Sequence, residues 1–147
     1  MATALEILRD RLAEDNLEIS YDNMDGSFVL RIVIDSIGET EEGIIVTEIS
    51  EVPVEEQEKY GYFHFMSVIE DGITEENMAD KLVSLNEENL ETLLGNYLVI
   101  PDSGTLVHKY VLRTVNEKVE ETAEDLYNCL VDIVAIVSNA YDRITQE

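Results

Sequence analysis

Apolar and polar positions along the chain fall into two alternating rhythms, and the clearest stretch comes last. Between Asn116 and Ile144, the residues Val119, Ala123, Leu126, Leu130, Ile133, Val137, Ala140 and Ile144 recur at alternating steps of four and three. That spacing holds small or apolar side chains on one stripe of an α-helix. Tyr127, Val134 and Tyr141 widen the stripe on one side, Cys129 and Ile136 on the other, and Glu120, Glu121, Glu124, Asp125, Asp132 and Asp142 face away. Acids crowd the first turns and Arg143 sits in the last, as the helix dipole favours. Asn116 and Thr122 are alternative caps. Four-three spacing also describes a coiled-coil seam. The width of the stripe favours a helix laid across a sheet, and the seam stays open as a dimer contact.

Two shorter helices are predicted upstream. Thr3–Glu14 has capping-box spacing at Thr3 and Glu6 and a stripe of Leu5, Leu8 and Leu12. Thr74–Leu94 opens on a cap followed by Glu75 and Glu76, and carries Met78, Leu82, Leu85, Leu90, Leu93 and Leu94. Asn86 and Asn89 are candidate breaks in it, and Gly95 is placed to end it at the C′ position.

Alternation of period two marks the strands. Phe28–Asp35 is the strongest: Phe28, Leu30, Ile32 and Ile34 point one way, Val29, Arg31 and Val33 the other. The second set is only half polar, which predicts partial cover on that face as well. Leu17–Tyr21 is a candidate strand only, followed by a turn at Asp22-Asn23-Met24-Asp25-Gly26. Ile44–Ile49 and Tyr60–Ile69 are further strands, separated by an acidic connection, Ser50–Lys59, that contains Pro53. Tyr97–Ile100 and Thr105–Val115 form a hairpin around Pro101-Asp102-Ser103-Gly104. The expected fold is a single α+β domain over residues 1–147, with an antiparallel sheet of about five strands and three helices in the order α-β-β-β-α-β-β-α.

Composition narrows the class. A chain of 147 residues buries about 68–70% of its unfolded surface and needs no disulfide or metal to fold. The single cysteine makes no internal disulfide and fits a reducing, cytoplasmic setting. The first residues hold no basic-then-apolar leader. No apolar run reaches the roughly 20 residues that cross a bilayer, because Asp132 interrupts the best one. The formal charge of −24 argues against nucleic acid and anionic membranes as partners. It suits either solubility alone or a protein partner with basic or amphipathic segments.

Recognisable chemistry is sparse. His64 and His108 are the only histidines, and both fall within predicted strands. Structural roles are the simpler reading for both, and for Cys129 as a small buried hydrophobe. The Asp22–Gly26 acids lack the spacing and the closing glutamate of a calcium loop. No catalytic, cofactor-binding or metal-binding set is assigned, so no enzyme is expected.

From Leu82 to Leu112 the chain reads LVSLNEENLETLLGNYLVIPDSGTLVHKYVL. This stretch resembles the helix, glycine and hairpin of the type III secretion chaperone-like fold, and more closely that of the YbjN-type sensory-transduction regulators, bacterial proteins. The matching elements are Leu82, Leu85 and Asn86, then Gly95-Asn96-Tyr97, then the Asp102-Ser103-Gly104 turn. The acidic Ser50–Lys59 connection is longer than that family pattern. The resemblance implies a small non-enzymatic protein that binds another protein, often as a homodimer. The expectation is therefore an acidic cytoplasmic protein-binding module, chaperone-like or regulatory; its expected contact residues are Leu82, Leu85, Leu90, Leu93 and Leu94, which exceed a single narrow stripe on the Thr74–Leu94 helix. The alternatives are a small enzyme or ligand-binding protein with a sheet-face pocket using His64 or His108, and an acidic mimic of nucleic acid.

Overall fold

A computed structural model describes residues 2–24, 27–52 and 59–145. Helix α1 (Ala4–Glu14) leads into four strands, β1 (Glu18–Met24), β2 (Ser27–Ile37), β3 (Gly43–Val52) and β4 (Tyr60–Glu70). Helix α2 (Glu75–Glu91) follows, then the hairpin β5 (Asn96–Ile100) and β6 (Thr105–Val115), then α3 (Val119–Thr145). All six strands form one antiparallel sheet in the order β1-β2-β3-β4-β6-β5. The long strand β6 therefore lies beside β4, and β5 is left at the edge.

The α+β class and the three helices are as expected, but the sheet has six strands rather than five. The addition is β1, which pairs with β2 along its whole length. Asp22, Asn23 and Met24, expected in a turn, continue that ladder opposite Val29, Phe28 and Ser27. Asp25 and Gly26 lie outside the described residues. Ser50, Glu51 and Val52 likewise belong to β3, and 53–58 of the acidic connection lie outside the described residues. Alternation in these stretches is weak, and a neighbouring strand with free backbone groups decided the outcome.

One core fills one side of the sheet. Leu30, Ile32, Ile45, Ile49, Phe63, Phe65 and Leu106 point into it, and Leu126, Leu130, Ile133 and Val137 of α3 meet them. The four-three stripe thus packs in the core, as the sheet reading predicted. Leu5, Leu8 and Leu12 of α1 join the same cluster. Two polar side chains within this layer satisfy each other: the Thr47 and Ser67 hydroxyls are 2.9 Å apart and fully buried. Among the described residues, no helix is long and apolar enough to cross a membrane.

Helix α2 runs without a break. Thr74 caps it by accepting from the Asn77 amide at 3.3 Å. Asn89 does not interrupt it. Its side-chain amide faces the edge strand, donating to the Tyr97 carbonyl at 2.9 Å and accepting from the Tyr97 amide at 2.7 Å. The helix ends at Thr92, whose extended backbone stops it, so Gly95 is not the C′ residue. Gly95 instead takes a φ of +71° against β6, where a Cβ would come within 2.4 Å of the Lys109 carbonyl and 2.7 Å of the His108 ring. Close approach, rather than helix termination, accounts for this glycine.

Candidate functional site

Two surfaces stand out, one on α2 and one on the uncovered side of the sheet. The buried side of α2 carries Leu85 and Lys81. Leu85 is only 2% exposed and belongs to the core. Lys81 donates to the Ile144 carbonyl at 2.7 Å and lies 3.4 Å from Glu70, tying α2 to the negative end of α3. Arg143 makes a second tie, a two-pronged contact with Glu88 at 2.7 and 3.2 Å.

The outward side of α2 is different. Ala79, Leu82, Val83, Asn86 and Leu90 are all exposed, and their spacing puts them on one stripe that carries no charge after Glu75 at its start. Leu90 is 80% exposed, and Leu93, just past the helix end, is 84% exposed. Glu76, Asp80, Glu87 and Glu91 run along the neighbouring face. Of the contact residues expected from the sequence, Leu82, Leu90 and Leu93 are thus available at the surface. Leu94 is half-buried, and its carbonyl accepts from His108. Leu85 drops out as a surface contact, because the helical period turns it toward the sheet.

The second surface is the sheet face opposite the helices. Register places Val33, Val46, Val68, Val107 and Leu98 in one row across five strands. The next row runs Arg31, Glu48, Met66, Lys109 and Asn96. Beyond it lie Val29, Ser50, His64 and Val111, then Tyr62 and Arg113. Cover on this face was expected from the half-apolar pattern of β2. None of the three helices supplies it, and most of its side chains are half-buried or exposed.

The charges on this face set it apart. The protein has nine Lys and Arg residues. Five are ion-paired, through Arg9–Asp10, Arg11–Glu124, Lys81–Glu70, Lys118–Glu121 and Arg143–Glu88. The other four, Arg31, Lys59, Lys109 and Arg113, have no ion pair among the described residues. Three of them lie on the open sheet face, and Lys59 directly precedes β4. Tyr60 sits between two of these cations, with Arg113 at 4.4 Å and Lys59 at 5.2 Å from its ring.

The two histidines lie on opposite sides of the sheet, since His64 pairs across with Val111 and His108 with Ser67. They cannot act together. His108 is fully buried, and its Nε2 donates to the Leu94 carbonyl at 2.7 Å. Its ring meets Tyr97 edge-on at 4.9 Å. Burial holds its pKa below the usual histidine value. His64 is half-exposed on the open face; burial and then the nearby Lys109 charge lower its pKa too. Burial, followed by Asp132, pushes the Cys129 thiol up to about 12, so it is a poor nucleophile.

A cleft of about 500 Å³ opens between the start of α2 and the end of α3. Glu70, Asp71, Asp80, Lys81 and Arg143 line it, and neither histidine does. Its two cations are already engaged as described. Among the described residues, no group of three or more His, Cys, Asp or Glu side chains is arranged to hold a metal ion.

The α2 leucines were legible as an excess of apolar positions over one stripe. The cationic face was not, because Arg31, Lys109 and Arg113 come from strands far apart in sequence and only the register unites them. No protein-family model matches the chain, and no curated protein matches it in sequence.

Proposed function

We propose that this protein is a cytoplasmic protein-binding module, chaperone-like or regulatory, which acts as a homodimer through the outward stripe of α2 rather than as an enzyme. The observation that supports it is the uncharged stripe Ala79, Leu82, Val83, Asn86 and Leu90, exposed on a chain of formal charge −24. Exposed apolar surface of this kind is a usual mark of an interaction site. The resemblance expected for the Leu82–Leu112 stretch, to the YbjN-type regulators, would imply the same role. An isologous contact would place the same stripe on both subunits, with Glu76, Asp80, Glu87 and Glu91 at the rim. Charge repulsion opposes such a dimer, so added salt strengthens it.

Sedimentation equilibrium at low and moderate salt tests the proposal. A dimer that tightens with salt is expected. A monomer at about 100 µM in both conditions, where micromolar association would show, refutes it. Leu90→Glu is the matching variant, because this side chain is exposed and its replacement leaves the core intact. Leu85→Glu would instead bury a charge in the core. A folded, monomeric Leu90→Glu protein supports the α2 contact; an intact dimer moves the contact elsewhere, with Val131 on α3, 49% exposed, as the next position to test.

A further inference from the structure

We infer that the open sheet face binds an acidic amphipathic segment of a partner polypeptide, with Lys109 and Arg113 as its anchoring cations. This rests on the protein-binding reading above and not on the dimer. The distribution of charge carries it. With 33 acids and nine cations in the chain, a cation without an ion pair is unexpected. Four such cations exist among the described residues, on and beside one face; Arg31 has Glu48 directly across the ladder, whereas Lys109 and Arg113 have no acid opposite them. The strands beneath them, β4 and β6, present Tyr60, Tyr62, His64, Met66 and Val111 to that side. No acid occurs on that side between Tyr60 and Val68 of β4 or between Val107 and Val115 of β6.

Lys109 and Arg113 are four residues apart on one strand, about 13 Å by strand geometry. Physiological salt screens charge over about 8 Å, so the field at this patch is set by these cations more than by the distant acids of the helices. Apolar side chains of a bound segment would lie on Met66, Val111 and Tyr62, and its carboxylates would meet Lys109 and Arg113. An amphipathic element laid on this face would complete the second cover that a half-apolar sheet face lacks. A second copy of the chain is a poorer occupant. An isologous contact centred on Lys109 and Arg113 would bring like cations together, because Glu18, Asp22 and Glu48, acids of this face, lie on β1 and β3.

Fluorescence anisotropy with three labelled probes tests this. The first is a peptide of about 15 residues with Leu at helical i, i+3, i+4, i+7 spacing and Glu elsewhere. The second replaces its Glu by Lys, and the third is an oligothymidylate of about ten nucleotides. The acidic peptide is expected to bind with a Kd in the range of about 10–500 µM. Binding should weaken at least about tenfold in Lys109→Glu/Arg113→Glu, by loss of two charge contacts. Both side chains are exposed, and a melting curve like that of the parent shows that the variant is folded. The milder Lys109→Gln/Arg113→Gln should fall between.

No binding of the acidic peptide at about 1 mM, or binding that the double charge reversal leaves unchanged, overturns the inference. So does preference for the Lys peptide. Tighter binding of the oligothymidylate, lost in the same variant, would assign the face to nucleic acid instead. A change in oligomeric state of the double variant would assign it to a second copy. Leu90→Glu should bind the acidic peptide like the parent, so the failure of either proposal is seen separately.

Discussion

The two sides of the sheet are made by the same six strands, yet they follow different rules. On the helix side, Leu30, Ile32, Ile49 and Phe65 are fully buried; Thr47, Ser67 and His108 Nε2 each have a short hydrogen bond, while the Tyr97 hydroxyl and His108 Nδ1 have no partner among the described residues. On the other side, valines share the surface with Arg31, Glu48, Lys109, Arg113 and tyrosines. The helix side carries the stability, because burial of apolar area dominates folding. The open side is free to carry charge, because water still reaches it. The difference teaches that an alternating strand pattern records the existence of two faces but not whether both are covered.

That contrast can be broken by substitution. Phe65→Ala should cost about 3–5 kcal/mol, whereas its neighbour Met66→Ala, on the open side, should cost about 1 kcal/mol or less. Urea unfolding of both variants measures this, and similar midpoints would mean that the open side is covered after all. Leu130→Ala on α3, 3% exposed, should cost about 2–5 kcal/mol, and an unchanged midpoint would remove α3 from the core. Thr47→Val comes next. It strands the buried Ser67 hydroxyl, for a cost of about 1–3 kcal/mol. The double variant with Ser67→Ala should recover part of that loss.

Protonation sharpens the contrast further. His108 is held neutral by burial, so its pKa in the folded protein lies below the unfolded value of about 6.5. Below that pH the unfolded chain binds the proton first, and the stability contributed by His108 is lost as pH falls toward the folded pKa. The stability gap between the parent and His108→Gln should therefore narrow between about pH 7 and pH 5. Nitrogen chemical shifts should show the Nε2–H tautomer that the Leu94 carbonyl requires. A gap independent of pH would count against a neutral, buried ring. The smallest effect concerns the net charge: moderate salt should raise the melting temperature by screening the repulsion of a −24 chain. A fall would show that the five ion pairs outweigh that repulsion.

Where one face of an element must be buried, the sequence by itself was sufficient. The α3 stripe, the Leu5, Leu8 and Leu12 face of α1, the Thr3 and Thr74 caps and the turn at Asp102-Ser103-Gly104 are local signals. Each depends on period, capping chemistry or backbone freedom within a few residues. Tertiary structure decided what local pattern leaves open. It extended β1 through Asp22–Met24 because β2 offered backbone partners. It turned Asn89 from a candidate break into a partner for the edge strand, and gave Gly95 to a close contact with β6. It sent Leu85 inward while leaving Leu82 and Leu90 outside. It also gathered Arg31, Lys109 and Arg113 on one face. Strand pairing joins residues separated by many tens of positions, and a one-residue change of register would send every one of those side chains to the other side.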